Sequence, residues 1–366
     1  MGALLQNTVF GKQKIKPNTF IGGVSSSLST PALVATKLKI PVSRIKSFSI
    51  VENNIQFAVI GGSYILPNLN SGPFNGFGEG ITYYDDRDGL VTRVAHSCFR
   101  NSDSTPTLLW VNLPNCTIFE NYAFGGCTTL QTVNAPLITT IGQFAFASTK
   151  ITNVSYNYCT SVADSAFAGC MQNTSVNLPV CTTLERNAFL NNSKLNTVTL
   201  PNVTTIGASC FENNPNLEYV SMPNLTSIPT GAFRYCPLAT FNFPSVTFIG
   251  SQSFRDNAAQ TIFYFPELLS ADVSSFYGTK ATDYIFNKLT SCANYAFSNC
   301  TNAVNINIPK CTQLGENSSY NNVFDGIKKG CSITVNIFLQ NNNTNTPDGD
   351  LQFAISSRSA LVNFTL

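Results

Sequence analysis

LNTVTLPNVTTIGASCFENN, residues 195–214, decides the fold. Val198 and Leu200 are apolar at a spacing of two, with Thr197 and Thr199 alternating against them. That is the period of a half-buried strand. Pro201 cannot donate to a strand ladder, so it ends the strand. Further on, Cys210 and Phe211 set a small residue beside a large aromatic one.

The same string recurs. Ala-Phe stands at 123–124, 145–146, 166–167, 188–189, 232–233 and 296–297. Cys-Phe stands at 98–99 and 210–211, Ser-Phe at 253–254 and 275–276, and Val-Phe at 323–324. The intervals between these Phe residues are 25, 22, 21, 22, 22, 22, 21, 22, 21 and 27. Between them run LQTVNAP, ITNVSYN, NTSVNLP, LEYVSMP, LATFNFP, QTIFYFP, ATDYIFN and AVNINIP, each with the same alternation. One strand per coil of about 22 residues, with a compact turn or short helical segment carrying the Phe, predicts a repeat solenoid. No coil buries its apolar face alone; its neighbours do. Eleven coils at ~4.8 Å per strand make a core roughly 50 Å long.

The pattern LxxVxLPxxL…I…AFxxC resembles the BspA-type leucine-rich repeats from about Gly89 to the end of the chain. Departures are Asn157 and Asn287 in the proline slot and an enlarged coil from Gly315 to Gly330. GDLQFAISSRSALVNFTL, residues 349–366, reads as a closing cap of a short helix and a last strand. The expected division is a basic, mainly-β, non-repeat attachment region over 1–88, the solenoid over 89–314, and the enlarged last coil with its cap over 315–366. Within the first region KSFSIVENNIQFAVIGGSYILPN reads as two strands with a Gly-Gly break.

Composition narrows the function. Only 11% of the 366 residues are charged, against about 25% in an ordinary soluble domain. Net charge is +2, unevenly placed. Up to Val51 the chain has Lys12, Lys14, Lys16, Lys37, Lys39, Arg44 and Lys46 and no acidic residue, giving +7 there and −5 in the remainder. These residues mark an attachment arm for an acidic partner or a solvated arm. MGALLQNTVFGKQ lacks the apolar stretch of a secretory signal. No apolar run reaches membrane-spanning length, so membrane insertion is not expected.

Twelve cysteines with a single histidine raise the question of a metal or disulfide framework. Aligned on the repeat, Cys116, Cys159, Cys181 and Cys311 share a slot with Ile138, Val203 and Leu225, and Cys292 shares one with Ile141 and Ile206. There Cys is a small hydrophobe. Three residues after the Phe, Cys127, Cys170, Cys236 and Cys300 alternate with Thr149, Asn192, Asn214, Asn257 and Thr279. That alternation predicts a turn side chain bonded to buried backbone. Neither a metal site nor a cofactor is expected.

His96 near Cys98 is the nearest approach to a nucleophile pair, and YYDDRDG at 83–89 fails the calcium-loop spacing. No convergent acid, base and nucleophile stand out, so catalytic residues are not expected. Several N-x-S/T sequons, for example at Asn153, Asn202 and Asn224, are what an Asn- and Thr-rich chain contains by chance. Nucleic acid is not expected on a net-negative solenoid.

What remains is the strand face turned away from the core, expected to be the concave one. Its candidate contacts are Asn177, Thr197, Thr199, Tyr219, Ser221, Thr240, Asn242, Ile262, Tyr264 and Asp283. Amides, hydroxyls and aromatic faces grip sugars or a protein partner, while Thr and Asn are equally what any solvated strand uses. BspA-type repeats occur in bacterial adhesins, in protist surface proteins and in phage virion proteins. The resemblance, with no export or wall-sorting signal in view, implies a bacteriophage head or tail fibre or decoration subunit. It would be homo-oligomeric, held to other virion proteins by the N-terminal region, with the solenoid meeting a host-surface glycan or protein. A cellular surface adhesin or intracellular interaction scaffold is the alternative.

Overall fold

The computed structural model describes residues 45–51, 54–60, 83–86, 89, 91–100, 108–315, 322–336, 339 and 349–365. It is a solenoid of stacked coils, as the period requires. Each coil from Tyr83 to Leu314 contributes two strands, one more than the sequence pattern predicts. The longer one holds the alternating segment, as in Thr197–Thr199, Tyr219–Ser221, Thr240–Asn242 and Ile262–Tyr264. The second is two residues long and follows the proline, as in Thr183–Leu184, Thr205–Ile206 and Phe248–Ile249. Successive coils pair in parallel and in register, so Val198 lies beside Val220 and Leu184 beside Ile206. Two walls result, a long-strand wall and a short-strand wall.

The third side carries the Phe. It is built of turns, not of helix. In the coil of Phe124, the amides of Ala123, Gly125 and Cys127 close turns onto Glu120, Tyr122 and Phe124. The alternate amides of Tyr122, Phe124 and Gly126 reach the carbonyls of Gln143, Ala145 and Ala147 in the next coil, each at 2.8 Å. This requires positive φ two residues before and two after the Phe, at Tyr122 and Gly126, then Phe144 and Ser148, then Ser165 and Gly169. A left-handed conformation costs a non-Gly residue about 1–2 kcal/mol. Alternating bonds within and between coils pair every amide from Tyr122 to Cys127, which offsets that cost.

Inside, the eleven Phe rings form one column from Phe99 to Phe324. Neighbouring centroids are 5.0–5.8 Å apart and planes lie within 18° of each other. Each buried Phe contributes roughly 1.5–3 kcal/mol relative to an exposed one. All twelve cysteines are buried and none is in a disulfide. The turn slot behaves as its composition predicts. Cys170 Sγ donates to Phe146 O at 3.1 Å, Asn192 Nδ2 to Phe167 O at 2.9 Å and Cys236 Sγ to Phe211 O at 2.9 Å. Each ties a coil to the carbonyl of the preceding Phe.

At the N-terminal end, β1 (Ile45–Val51) and β2 (Asn54–Ile60) form an antiparallel hairpin. The chain reverses between Val51 and Asn54; Gly61-Gly62 lie outside the described residues. β2 then pairs in parallel with β3 (Tyr83–Asp85), which pairs with Trp110–Asn112, so the hairpin extends the long-strand wall. Asp86, fully buried, accepts from Val91 N at 2.7 Å. At the other end helix α1 (Gly349–Arg358) precedes a last strand, Leu361–Thr365, paired with Ser332–Asn336. Asp350 in its first turn accepts from Val323 N at 3.0 Å. A buried carboxylate thus pins each terminal coil.

Candidate interaction face

The outward side chains of the long-strand wall come from alternate residues of each strand, and parallel pairing lines them up in two columns. One column runs Ser175, Thr197, Tyr219, Thr240; another coil on it resumes with Ile262 beside Asp283. The second holds Asn177, Thr199, Ser221 and Asn242, with Tyr264 beside Ile285 further along.

Much of this wall bonds to itself. Asn134 Nδ2 donates to Asn112 Oδ1 at 2.6 Å, and Asn112 Nδ2 to Asp85 Oδ1 at 2.8 Å. Asn177 Nδ2 donates to Ser155 Oγ at 3.3 Å. Ser221, expected as a contact, is 92% covered, and its hydroxyl accepts from Asn242 Nδ2 at 3.2 Å. It positions Asn242. Asp283 is likewise engaged, accepting from Asn305 Nδ2 and Thr282 Oγ1, both at 2.6 Å. Thr197 donates to Asn196 Oδ1 at 3.0 Å.

The aromatic and apolar members differ. Tyr219 is 37% exposed, Ile262 44% and Tyr264 52%. Two coil steps, about 10 Å along the stack, separate the two tyrosines. Thr240 and Asn242, both exposed, lie in the coil between. The patch therefore offers two ring faces with a hydroxyl and an amide between them, and no cation.

Of the candidate anchor, Lys12, Lys14, Lys16, Lys37, Lys39 and Arg44 lie outside the described residues; Lys46 is in β1, where only the backbone is described. The His96 ring meets Tyr122 edge-on at 5.8 Å, and its backbone N–H donates to Glu120 Oε2. Burial holds the Cys98 thiol well above its ordinary pKa. The Cys181 and Cys300 thiols are pushed up to about 11, and those of Cys116, Cys159 and Cys170 to about 12, by the same desolvation. These are packing thiols, protonated at neutral pH. Asn202 and Asn224 donate to Pro179 O and Pro201 O at 2.7 and 2.8 Å, so these two sequons carry corner-bracing side chains.

Sequence reasoning missed a threonine spine on the short-strand wall. The hydroxyls of Thr139, Thr160, Thr182 and Thr204 each donate to the carbonyl of Thr117, Thr139, Thr160 and Thr182 in the preceding coil. A column of Thr two residues before the inward Ile, Val or Leu was the available signal.

The family model described as BspA type leucine rich repeat region matches residues 92–218, 139–261 and 226–345, with six copies. The chain belongs to this family. Similar solved structures include a leucine rich cell surface protein from Faecalibacterium prausnitzii, 21% identical, covering 74% of this chain and 93% of that one at a TM-score of 0.40. A leucine-rich repeat protein from Bacteroides ovatus is 15% identical, covering 87% and 98% at a TM-score of 0.37. The pneumococcal vaccine antigen PcpA is 14% identical, covering 88% and 96% at a TM-score of 0.34. No curated protein matches the chain. No helix among the described residues is long and apolar enough to cross a membrane. A leucine-rich-repeat solenoid presents an extended surface suited to interaction with other molecules.

Proposed function

We propose that the chain is a display protein whose long-strand wall contacts a surface ligand through the patch from Tyr219 to Tyr264. One observation carries this reading: Tyr219, Ile262 and Tyr264 stand exposed within three successive coils of this wall, beside the Asn242–Ser221 pair that bonds to itself. An exposed aromatic gains nothing from the core, whereas in a contact it supplies large, rigid area at low entropic cost. The ligand is a host-surface glycan or protein.

Within this reading the chain is a bacteriophage virion component, a head or tail fibre or decoration subunit. The supporting observations are physical. Twelve buried cysteines outside any disulfide suit folding in a reducing compartment. Charge is divided, +7 up to Val51 and −5 beyond it, which suits a basic attachment region over 1–88 holding a homo-oligomer to other virion proteins, with the solenoid over 89–314 and the cap over 315–366 displayed outward. Immunogold electron microscopy of the source culture with an antibody against the solenoid tests the placement. Label on discrete particles is expected. Label confined to cell envelopes overturns the virion reading in favour of an adhesin.

A further inference from the structure

The short-strand wall carries a groove that this reading does not use. Along that wall the outward position is Thr or Ser at Thr140, Ser161, Thr183, Thr205 and Ser227, then changes to Phe248, returns to Ser270 and Ser291, and ends at Gln313. Behind it, the inward position narrows from Ile249 to Ala271 and Cys292, then widens to Leu314. Two coils of small residues therefore lie between Phe248 and Gln313, which are three strand spacings, about 14 Å, apart. The open depression they leave holds about 330 Å³, with Asp272 and Ala293 on its flank. That volume lies within the range of small-ligand sites.

The rim departs from the repeat as well. Leu269 replaces the threonine of the spine and is 46% exposed; Phe248 is 38% exposed. Ser291 Oγ donates to Ser270 Oγ at 3.3 Å across the floor. Asp272 Oδ1 accepts from Val273 N at 2.7 Å. Several repeat slots thus change together at one place, and the changes make a hollow with one aromatic wall.

We propose that this groove binds a neutral saccharide, with one pyranose ring lying against Phe248. A pyranose has a C–H face that packs on an aromatic ring and a hydroxyl rim that needs donors and acceptors. Ser270, Ser291 and Gln313 supply both, and Asp272 supplies acceptors. Among the described residues no Lys or Arg lines the groove, and the Asp272 carboxylate repels anions, so sialylated or phosphorylated sugars are disfavoured. A peptide anchor would need a deep apolar pocket, whereas this floor is hydroxyl and small side chains. The site lies on the wall opposite in strand series to the Tyr219–Tyr264 patch and stands independently of it.

Saturation-transfer NMR on the full chain, with the methyl glycosides of glucose, galactose and N-acetylglucosamine as probes, tests the proposal. Phe248→Ser restores the slot's usual residue at an exposed position, so folding is retained. Ser270→Phe fills the hollow. Transfer to the ring C–H protons of at least one glycoside is expected, reduced about threefold or more by Phe248→Ser. It should vanish in Ser270→Phe and survive in Tyr219→Ala with Tyr264→Ala. Absence of transfer from all three probes overturns the proposal. So does transfer that Phe248→Ser leaves unchanged, or that only the tyrosine pair removes.

Discussion

The ring of Phe167 lies 5.0 Å from that of Phe146, with the two planes only 4° apart. Each ring is fully buried and is also stacked on a ring in the coil on its other side. The same contact repeats along the solenoid. The column joins the coils, since each Phe packs chiefly on its sequence-distant equivalents.

Phe167→Ala should therefore remove two stacking contacts and open a cavity that rigid neighbouring coils cannot close. The expected loss is about 3–5 kcal/mol, read by urea denaturation. Phe248→Ser, on the exposed side of the short-strand wall, serves as the control and should change stability by less than about 1 kcal/mol. Equal losses would mean that the ring column does not hold the coils together.

The turn ribbon makes a different demand. Ser148 has φ +60° and is exposed, and Gly169 fills the same slot one coil on. Ser148→Val should cost about 1–2 kcal/mol, because a branched side chain resists the left-handed region. Ser148→Gly should stay within about 1 kcal/mol of the parent. Thermal denaturation of the pair against the parent reads the difference.

Burial of the thiols sets the alkaline limit of stability. An unfolded cysteine ionises near pH 8.5, whereas Cys236 and Cys331 in the folded chain are pushed up to about 12. Below about pH 8.5 both states keep the proton and no difference arises. Above it the unfolded state loses protons that the folded state retains, so stability should fall steadily as pH rises toward 12. Urea midpoints measured at intervals above pH 8 check this. Iodoacetamide at pH 8 should label the native chain slowly and all twelve cysteines once it is unfolded.

The repeat, the Phe column and the cysteine slots were legible because each follows a fixed period that a linear pattern preserves. The second strand was not. It is two residues long, too short for alternation to show, and only the neighbouring coil makes it a strand. The positive-φ positions were hidden because Tyr122, Phe144 and Gln252 are residues that propensity would not place there; bonds between coils override it. Ser221 and Thr199 look alike on the strand pattern, yet Ser221 is buried and Thr199 exposed. That distinction depends on cross-strand neighbours such as Asn242. Two strands were expected here about the Gly-Gly break, not a hairpin turning between Val51 and Asn54, and its union with the long-strand wall rests on the pairing of Phe57 with Tyr83, which no local pattern encodes.

The most direct test of the display reading is binding of the fluorescently labelled full chain to bacterial cells from the source culture, scored by flow cytometry. The Tyr219→Ala and Tyr264→Ala double variant should lose most of the binding while its Tm stays within a few degrees of the parent, since both rings already face solvent. Binding equal to the parent's, by a double variant that is folded, would contradict the account and remove the long-strand wall as the contact face.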